Sequence, residues 1–200
     1  MAYLAMELLR ETWGNAMTTT TDPTSRTIVA VSERLVLTRP QEGDLEAMFA
    51  IHGDPETNRY NPNGPQRDIA QAQEMLDGFV ADWVRDGVGY CAVATREDPG
   101  AVIGFAGLYL HTLDGERVFN LYYRFRPSAW GKGYAAEAAR AAMAEGLPRH
   151  PGIPVIALIH ADNLPSRRLA ERLGLVADPD GRTDEEDRVI HRMATAVAPA

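Results

Sequence analysis

A single cysteine, Cys91, stands among 200 residues. That excludes an internal disulfide and any multi-cysteine zinc site. Its setting, Tyr90-Cys91-Ala92-Val93, points to packing. Long apolar runs are also missing. The longest, Ala101 to Leu110, is ten residues with two glycines, too short to span a bilayer. Basic residues are scarce: Lys and Arg total 20 against 28 Asp and Glu, for a net charge of −8. Nucleic-acid affinity rests on clustered Lys and Arg, so no nucleic-acid partner is expected. The balance suits cationic partners, amines among them, although net charge speaks to encounter rather than chemistry. Glu7 stands where a signal peptide wants positive charge, so a cytoplasmic chain with no membrane partner is expected. The five histidines show no ligand spacing beyond His160-x-Asp162, and no metal is expected.

What remains is an ordinary globular composition, 45% hydrophobic and 24% charged, of one domain's length. Residues 1–30 read as an extension. Leu4, Leu8, Leu9 and Trp13 suggest a short amphipathic helix, and Thr18 to Ser25 is linker-like. Residues 31–198 read as the folded domain. Leu35 to Thr38 is β-branched and short, hence strand. Asp44 is expected to cap a helix carrying Leu45, Met48, Phe49 and His52 on one face and stopping at Gly53. Residues 53–67 hold three prolines, two glycines and three asparagines, and form a loop. Asp68 caps a second helix, whose stripe of Ala72, Met75, Leu76, Phe79, Val80 and Trp83 has helical period. Strands at 90–94, 102–110 and 118–125 are separated by turn residues and form a meander. An Ala-rich helix spans 134–147. Val155 to Ile159 is a strand buried on both faces. A helix at 164–173 ends at Gly174, followed by a strand near Leu175, an acidic turn at 184–187 and a strand around 189–193. The class is α/β, a mixed and mostly antiparallel sheet with helices on both faces.

The chemistry concentrates in Leu121-Tyr122-Tyr123-Arg124-Phe125-Arg126-Pro127-Ser128-Ala129-Trp130-Gly131-Lys132-Gly133-Tyr134-Ala135. This is a strand, a glycine turn, then a helix. Glycines let backbone N–H groups approach an anion, and the helix start adds unpaired N–H groups and a positive dipole end. A P-loop fails, because the upstream glycine position is Arg126. The string Gly131 to Ala136 fits a dinucleotide motif in letters but follows a meander and lacks the ribose-binding acid. A coenzyme A diphosphate cradle and a plain turn remain.

With a second segment, Asn163-Leu164-Pro165-Ser166, the chain from Glu33 to Ala196 resembles the GNAT superfamily of acetyl-CoA-dependent N-acetyltransferases. Within it, the branch acting on ribosomal-protein N-termini is the most similar. The resemblance implies the GNAT fold, acetyl-CoA as cosubstrate and a small-molecule or peptide amine as acceptor. Family members are often dimers, which admits a homodimer. It implies that backbone N–H groups of Trp130, Gly131, Lys132, Gly133, Tyr134 and Ala135 hold the diphosphate. Tyr123, Arg124 and Phe125 hold the pantetheine arm through their backbone, and Asn163 contacts the same arm or the acetyl end. Trp130 departs from the superfamily's usual Gln or Arg, and Asn120 from its frequent Glu.

Ala170 stands where many relatives carry a proton-donating Tyr. Ser166, one turn after Asn163, is the candidate donor to the sulfur; its plainer role is in the first helical turn. Asn163 is also an N-cap by position. Base candidates are His111, His160 and a water held by Asn120. Tyr60 and Asn61 sit in the loop expected over the acceptor. Two rival readings stay open: a non-catalytic coenzyme A-binding module, and a dinucleotide- or S-adenosylmethionine-dependent enzyme.

Overall fold

The computed structural model describes residues 26–179, 181–184, 186 and 188–193. Strand β1 (Ile28–Val31) pairs with β2 (Leu35–Thr38) through a tight turn. The sheet thus takes in residues that the sequence reading gave to the extension. The expected helix near Leu4 to Trp13 and the threonine run lie outside the described residues, as do parts of the 184–187 turn. Helices α1 (Leu45–His52) and α2 (Ile69–Asp86) follow. Next come β3 (Tyr90–Thr95), β4 (Val102–Leu113) and β5 (Glu116–Phe125). Helix α3 (Tyr134–Gly146), β6 (Val155–His160), α4 (Leu164–Arg172), β7 (Leu175–Ala177) and β8 (Arg188–Met193) complete the order.

The strands form one sheet in the order β1-β2-β3-β4-β5-β6-β8-β7. Every pairing is antiparallel except β5 with β6. Helices α1 and α2 cover one face. There Ala72, Leu76 and Phe79 of the stripe share a core with Met48, Ile51 and Phe105, while Trp83, also buried, joins the cluster of Cys91, Val93 and Ala142. Helix α3 covers the other face through Ala138, Ala139 and Ala142. These small side chains let it lie close on β4 and β5, beside Phe119, Leu121 and Phe125.

Asp68 caps α2 as expected, accepting the Gln71 N–H at 2.9 Å. Asp44 does not cap α1 in that way. A 3-10 turn (Glu42–Asp44) precedes the helix, so Asp44 already has helical backbone angles. Its carboxylate turns back to the Gln41 N–H at 3.0 Å and pairs, fully buried, with Arg26.

Candidate active site

The site begins where the sheet comes apart. The parallel ladder of β5 and β6 holds at Phe119↔Val155 and Asn120↔Ile156, and pairing stops there. Beyond Asn120 the strands diverge and leave a wedge. Phe119 N–H donates to Pro154 O on the β6 side (2.8 Å), and Arg126 N–H donates to Ile103 O on the β4 side (3.0 Å). Backbone groups alternate sides along a strand. Leu121, Tyr123 and Phe125 therefore turn theirs into the wedge, whereas Arg124 directs its own to β4, opposite Phe105. This narrows the sequence expectation: of Tyr123, Arg124 and Phe125, the first and last can reach an arm in the gap. The Phe125 carbonyl already accepts the Trp130 indole Nε1–H at 2.7 Å, a bond that fixes the loop entrance.

Gly131 and Gly133 have φ of +73° and +79°, angles that L side chains adopt at a cost. Gly133 is also the N-cap of α3 and supplies no side chain to its first turn. The N–H groups of the first turn have no partner within the helix. A Cβ built on Gly131 meets nothing within 4 Å, so the loop borders open space. Lys132 is exposed and does not line the cleft; its carbonyl accepts from Arg34 Nη1 at 2.9 Å. Arg34 also pairs with Glu137 and lies 4.9 Å over the Tyr134 ring. Burial raises the Glu137 pKa, but the bonds from Arg34 and Ser32 outweigh it and leave the carboxylate below its ordinary value.

Across the wedge, Asn163 Oδ1 accepts the Ser166 N–H at 3.2 Å and caps α4. The Ser166 hydroxyl makes no hydrogen bond among the described residues, and its carbonyl accepts the Tyr123 phenol at 3.0 Å. Burial pushes that phenol up to about 12. Ala170 is fully buried. His160 lines the cleft, but its Nδ1 accepts the Asp162 N–H (3.2 Å). His111 lies outside the cleft and bonds to the Tyr109 phenol (3.0 Å).

The opposite face of β5 presents Asn120, Tyr122 and Arg124. Asn120 Nδ2 donates to the Tyr90 hydroxyl at 2.7 Å, while its Oδ1 is buried without a partner among the described residues. The Tyr122 hydroxyl bonds to His52 Nε2 at 2.7 Å, and His52 Nδ1 faces Met48 O at 3.0 Å. Burial, helped by the charge of Arg124, lowers the His52 pKa to about 3, so the ring is neutral at physiological pH. Arg124 Nη1 donates to Asn58 Oδ1. Of this group the sequence reading singled out Asn120 and, for its backbone, Arg124. His52 and Asn58 lie far in the chain from Tyr90 and Tyr122, with no motif spacing, and His52 reads as one more residue on a core helix face.

One cleft of about 790 Å³ joins these parts. It is lined by Tyr123, Phe125, Trp130, Gly131, Gly133, Tyr134 and Ala135, by Asn163 and Ser166, and by Asn120, Tyr122 and Arg124. Tyr60 and Asn61 of the 53–67 loop also line it, with the Tyr60 ring 5.8 Å from the His160 ring. Among the described residues, no group of three or more His, Cys, Asp or Glu is placed to hold a metal. No helix there is long and apolar enough to cross a membrane.

A bare-amide loop at a helix start suits a diphosphate, and a strand wedge suits an extended arm; together they define an acyl-coenzyme A-dependent transferase. Residues 34–176 match the family model described as acetyltransferase (GNAT) domain, and the chain belongs to that family. The uncharacterized N-acetyltransferase YnaD of Bacillus subtilis is 26% identical over 144 residues, 72% of this chain and 80% of the relative. A crystal structure of an acetyltransferase from Agrobacterium tumefaciens matches with a TM-score of 0.69 at 25% identity, over 86% of this chain and 96% of its own. RimL, a ribosomal alpha-N-protein acetyltransferase, shares the fold at a TM-score of 0.64 and 14% identity, over 84% of this chain and 92% of its own. The chain is an acetyl-CoA-dependent acyltransferase, as the sequence reading expected.

Proposed function

We propose that this enzyme transfers acetyl from acetyl-CoA directly to a primary amine, whether a protein N-terminus, an amino sugar or a small amine. The observation that carries the reading is the single cleft. The glycine loop and Asn120 line one space, and Asn120 Oδ1 has no partner among the described residues, so both substrates can meet without an acyl-enzyme stage. Bound acetyl-CoA supplies the activated acyl group. The Trp130 N–H, expected among the cradle amides, is instead taken by Pro127 O at 3.0 Å, so N–H groups from Gly131 to Ala135 hold the diphosphate, aided by the positive end of α3. Wedge-facing backbone at Tyr123 and Phe125 holds the arm, and its N–H groups stabilise negative charge that develops on the carbonyl oxygen. Asn120 Oδ1 accepts an N–H of the neutral amine and orients its lone pair. As the C–N bond forms and the C–S bond breaks, Ser166 Oγ donates its proton to the departing sulfur and is reprotonated by the proton that the amine nitrogen loses. Asn163 shapes that end by capping α4.

The non-catalytic alternative draws on two features: Asn120 is not an acid, and Ala170 is buried where a phenol is expected. Incubation with acetyl-CoA and an amine panel, read as free thiol and acetylated product by mass, separates them. Amine-dependent thiol release supports the enzyme reading. Coenzyme A binding without release for any amine overturns it. A melting temperature raised by a dinucleotide or S-adenosylmethionine, but not by coenzyme A, moves the chain out of this reading altogether.

A further inference from the structure

We propose that the acceptor amine carries an anionic oxygen group, a carboxylate or phosphate, and that the Arg124 side chain binds it with Asn58 as its fixed support. This rests on the N-acetyltransferase reading and names the class of its acceptor. The whole chain is acidic, which pointed toward a cationic acceptor; the cleft wall points the other way. On the face away from the glycine loop the charged lining residues are Arg59, Arg124 and Arg188 against Glu56. Arg188 is already paired, with Asp184 at 2.7 Å through Nε. Arg124 is half-buried and forms no ion pair with an Asp or Glu among the described residues. Its neighbours are neutral: Asn58 Oδ1, and Tyr122, whose ring centroid is 5.8 Å away. Its charge is felt nearby, since it helps keep His52 unprotonated.

A half-buried cation without a counter-ion is costly unless something completes it. The guanidinium is also held still. Asn58 is 4% exposed, and its Nδ2 donates to His52 O at 2.7 Å and to Asp54 O at 2.8 Å. Its Oδ1 also accepts from Asn61 Nδ2 at 2.9 Å. A planar, fixed fork of N–H donors matches a carboxylate or phosphate in bidentate fashion. Asn120, Tyr122 and Arg124 alternate on one face of β5, so Arg124 starts about 13 Å along the strand from Asn120. Its long side chain shortens that span, so a short spacer between amine and anion fits.

The test is a ladder of ω-amino acids of increasing length, each with its carboxamide, plus one aminoalkyl phosphonate. Calorimetric binding in the presence of coenzyme A and initial rates of thiol release are both read. The wild type should bind at least one acid or phosphonate about ten- to a hundredfold more tightly than its neutral partner. The phosphonate arm tells phosphate from carboxylate. Arg124→Gln should reduce that preference to within about twofold, and Arg124→Lys should leave an intermediate one. Melting temperatures check folding, and the wild-type acid-to-carboxamide comparison stands without either variant. Equal binding of acids and carboxamides by the wild type overturns the inference, as does a preference that survives Arg124→Gln. Preferential binding of acids without thiol release from any amine supports the anion site and overturns the transferase reading instead.

Discussion

Arg34 ties the start of α3 to the glycine loop: its Nε donates to Glu137 Oε2 at 2.8 Å, and its Nη1 donates to Lys132 O at 2.9 Å. The same carboxylate takes the Arg34 N–H at 2.7 Å and the Ser32 hydroxyl at 2.8 Å. The turn between β1 and β2 is thereby clamped to the glycine loop and the start of α3. Arg34 is largely exposed, so an ion pair there adds little to global stability. In the proposed binding mode its effect is to hold the Lys132 carbonyl away from the diphosphate.

Arg34→Ala should therefore act on cofactor binding. Coenzyme A affinity, measured by titration, should fall about three- to tenfold. Turnover at saturating acetyl-CoA should change less than about twofold, since no atom of Arg34 reaches the reacting centre in this mechanism. A collapse of kcat with unchanged affinity would show that the clamp serves something other than the loop.

Gly131→Ala separates folding from binding. At φ +73° the new Cβ meets no protein atom within 4 Å. The cost to the fold is backbone strain of about 1–2 kcal/mol, or a fall in Tm of about 2–8 °C. The methyl group occupies the space assigned to the diphosphate, so coenzyme A affinity should drop more than about tenfold, beyond what that strain implies for the fold. Unchanged affinity would place the diphosphate elsewhere.

Much of this architecture was legible beforehand because its signals are local. The stripe ending at Trp83, the turn residues of the meander and the glycine after Trp130 each act over a few neighbours. Strand β1 was not legible, because Ile28–Val31 follows a polar run and lies at the sheet edge, where a short strand leaves a faint pattern. Asp44 misled for a similar reason: its spacing suits a cap, but the preceding 3-10 turn moves it inside the helical stretch. At the site, the loop and Asn163 came with the motif. The direction of each backbone group on β5 did not, since it depends on register with Pro154 and Ile103. The links from Tyr122 to His52 and from Arg124 to Asn58 join residues about seventy positions apart, which no periodicity records.

The two polar residues at the start of α4 should separate cleanly. Asn163→Ala removes the cap and should cost about 1 kcal/mol, or about 2–4 °C in Tm. Ser166→Ala removes a hydroxyl that bonds nothing among the described residues, so Tm should stay within about 1 °C. Turnover should fall about ten- to a hundredfold, at the modest end for proton transfer, because a thiol of pKa near about 8.5 is a fair leaving group. Unchanged kcat removes Ser166 from the role and turns attention to the Tyr123 phenol bonded to its carbonyl.

His52 gives the fold an acid-side weakness. The unfolded chain takes a proton there below its ordinary pKa of 6.5, whereas the folded chain keeps the ring neutral down to about 3. Stability from this residue is therefore complete above 6.5 and lost as the pH falls from 6.5 toward 3. The slope is at most about 1.4 kcal/mol per pH unit. Urea midpoints across that window should show it, and His52→Asn should flatten it even if the variant is less stable at neutral pH. A slope that is the same in both proteins would assign the acid sensitivity to other groups.

Turnover should follow the acceptor's proton rather than the enzyme's. Asn120 does not titrate, His160 Nδ1 is occupied by the Asp162 N–H, and His52 is too weak a base at a pKa of about 3. In the proposed mechanism the amine must then reach Asn120 Oδ1 already neutral. Below the amine's own pKa, kcat/KM at saturating acetyl-CoA should rise about tenfold per pH unit. The break should move with the acceptor: a less basic amine of similar shape should shift it down by its difference in pKa and react faster at neutral pH. A break that stays near one pH for every amine would reveal a base belonging to the protein. His160, with its ring beside Tyr60, would be the first residue to replace.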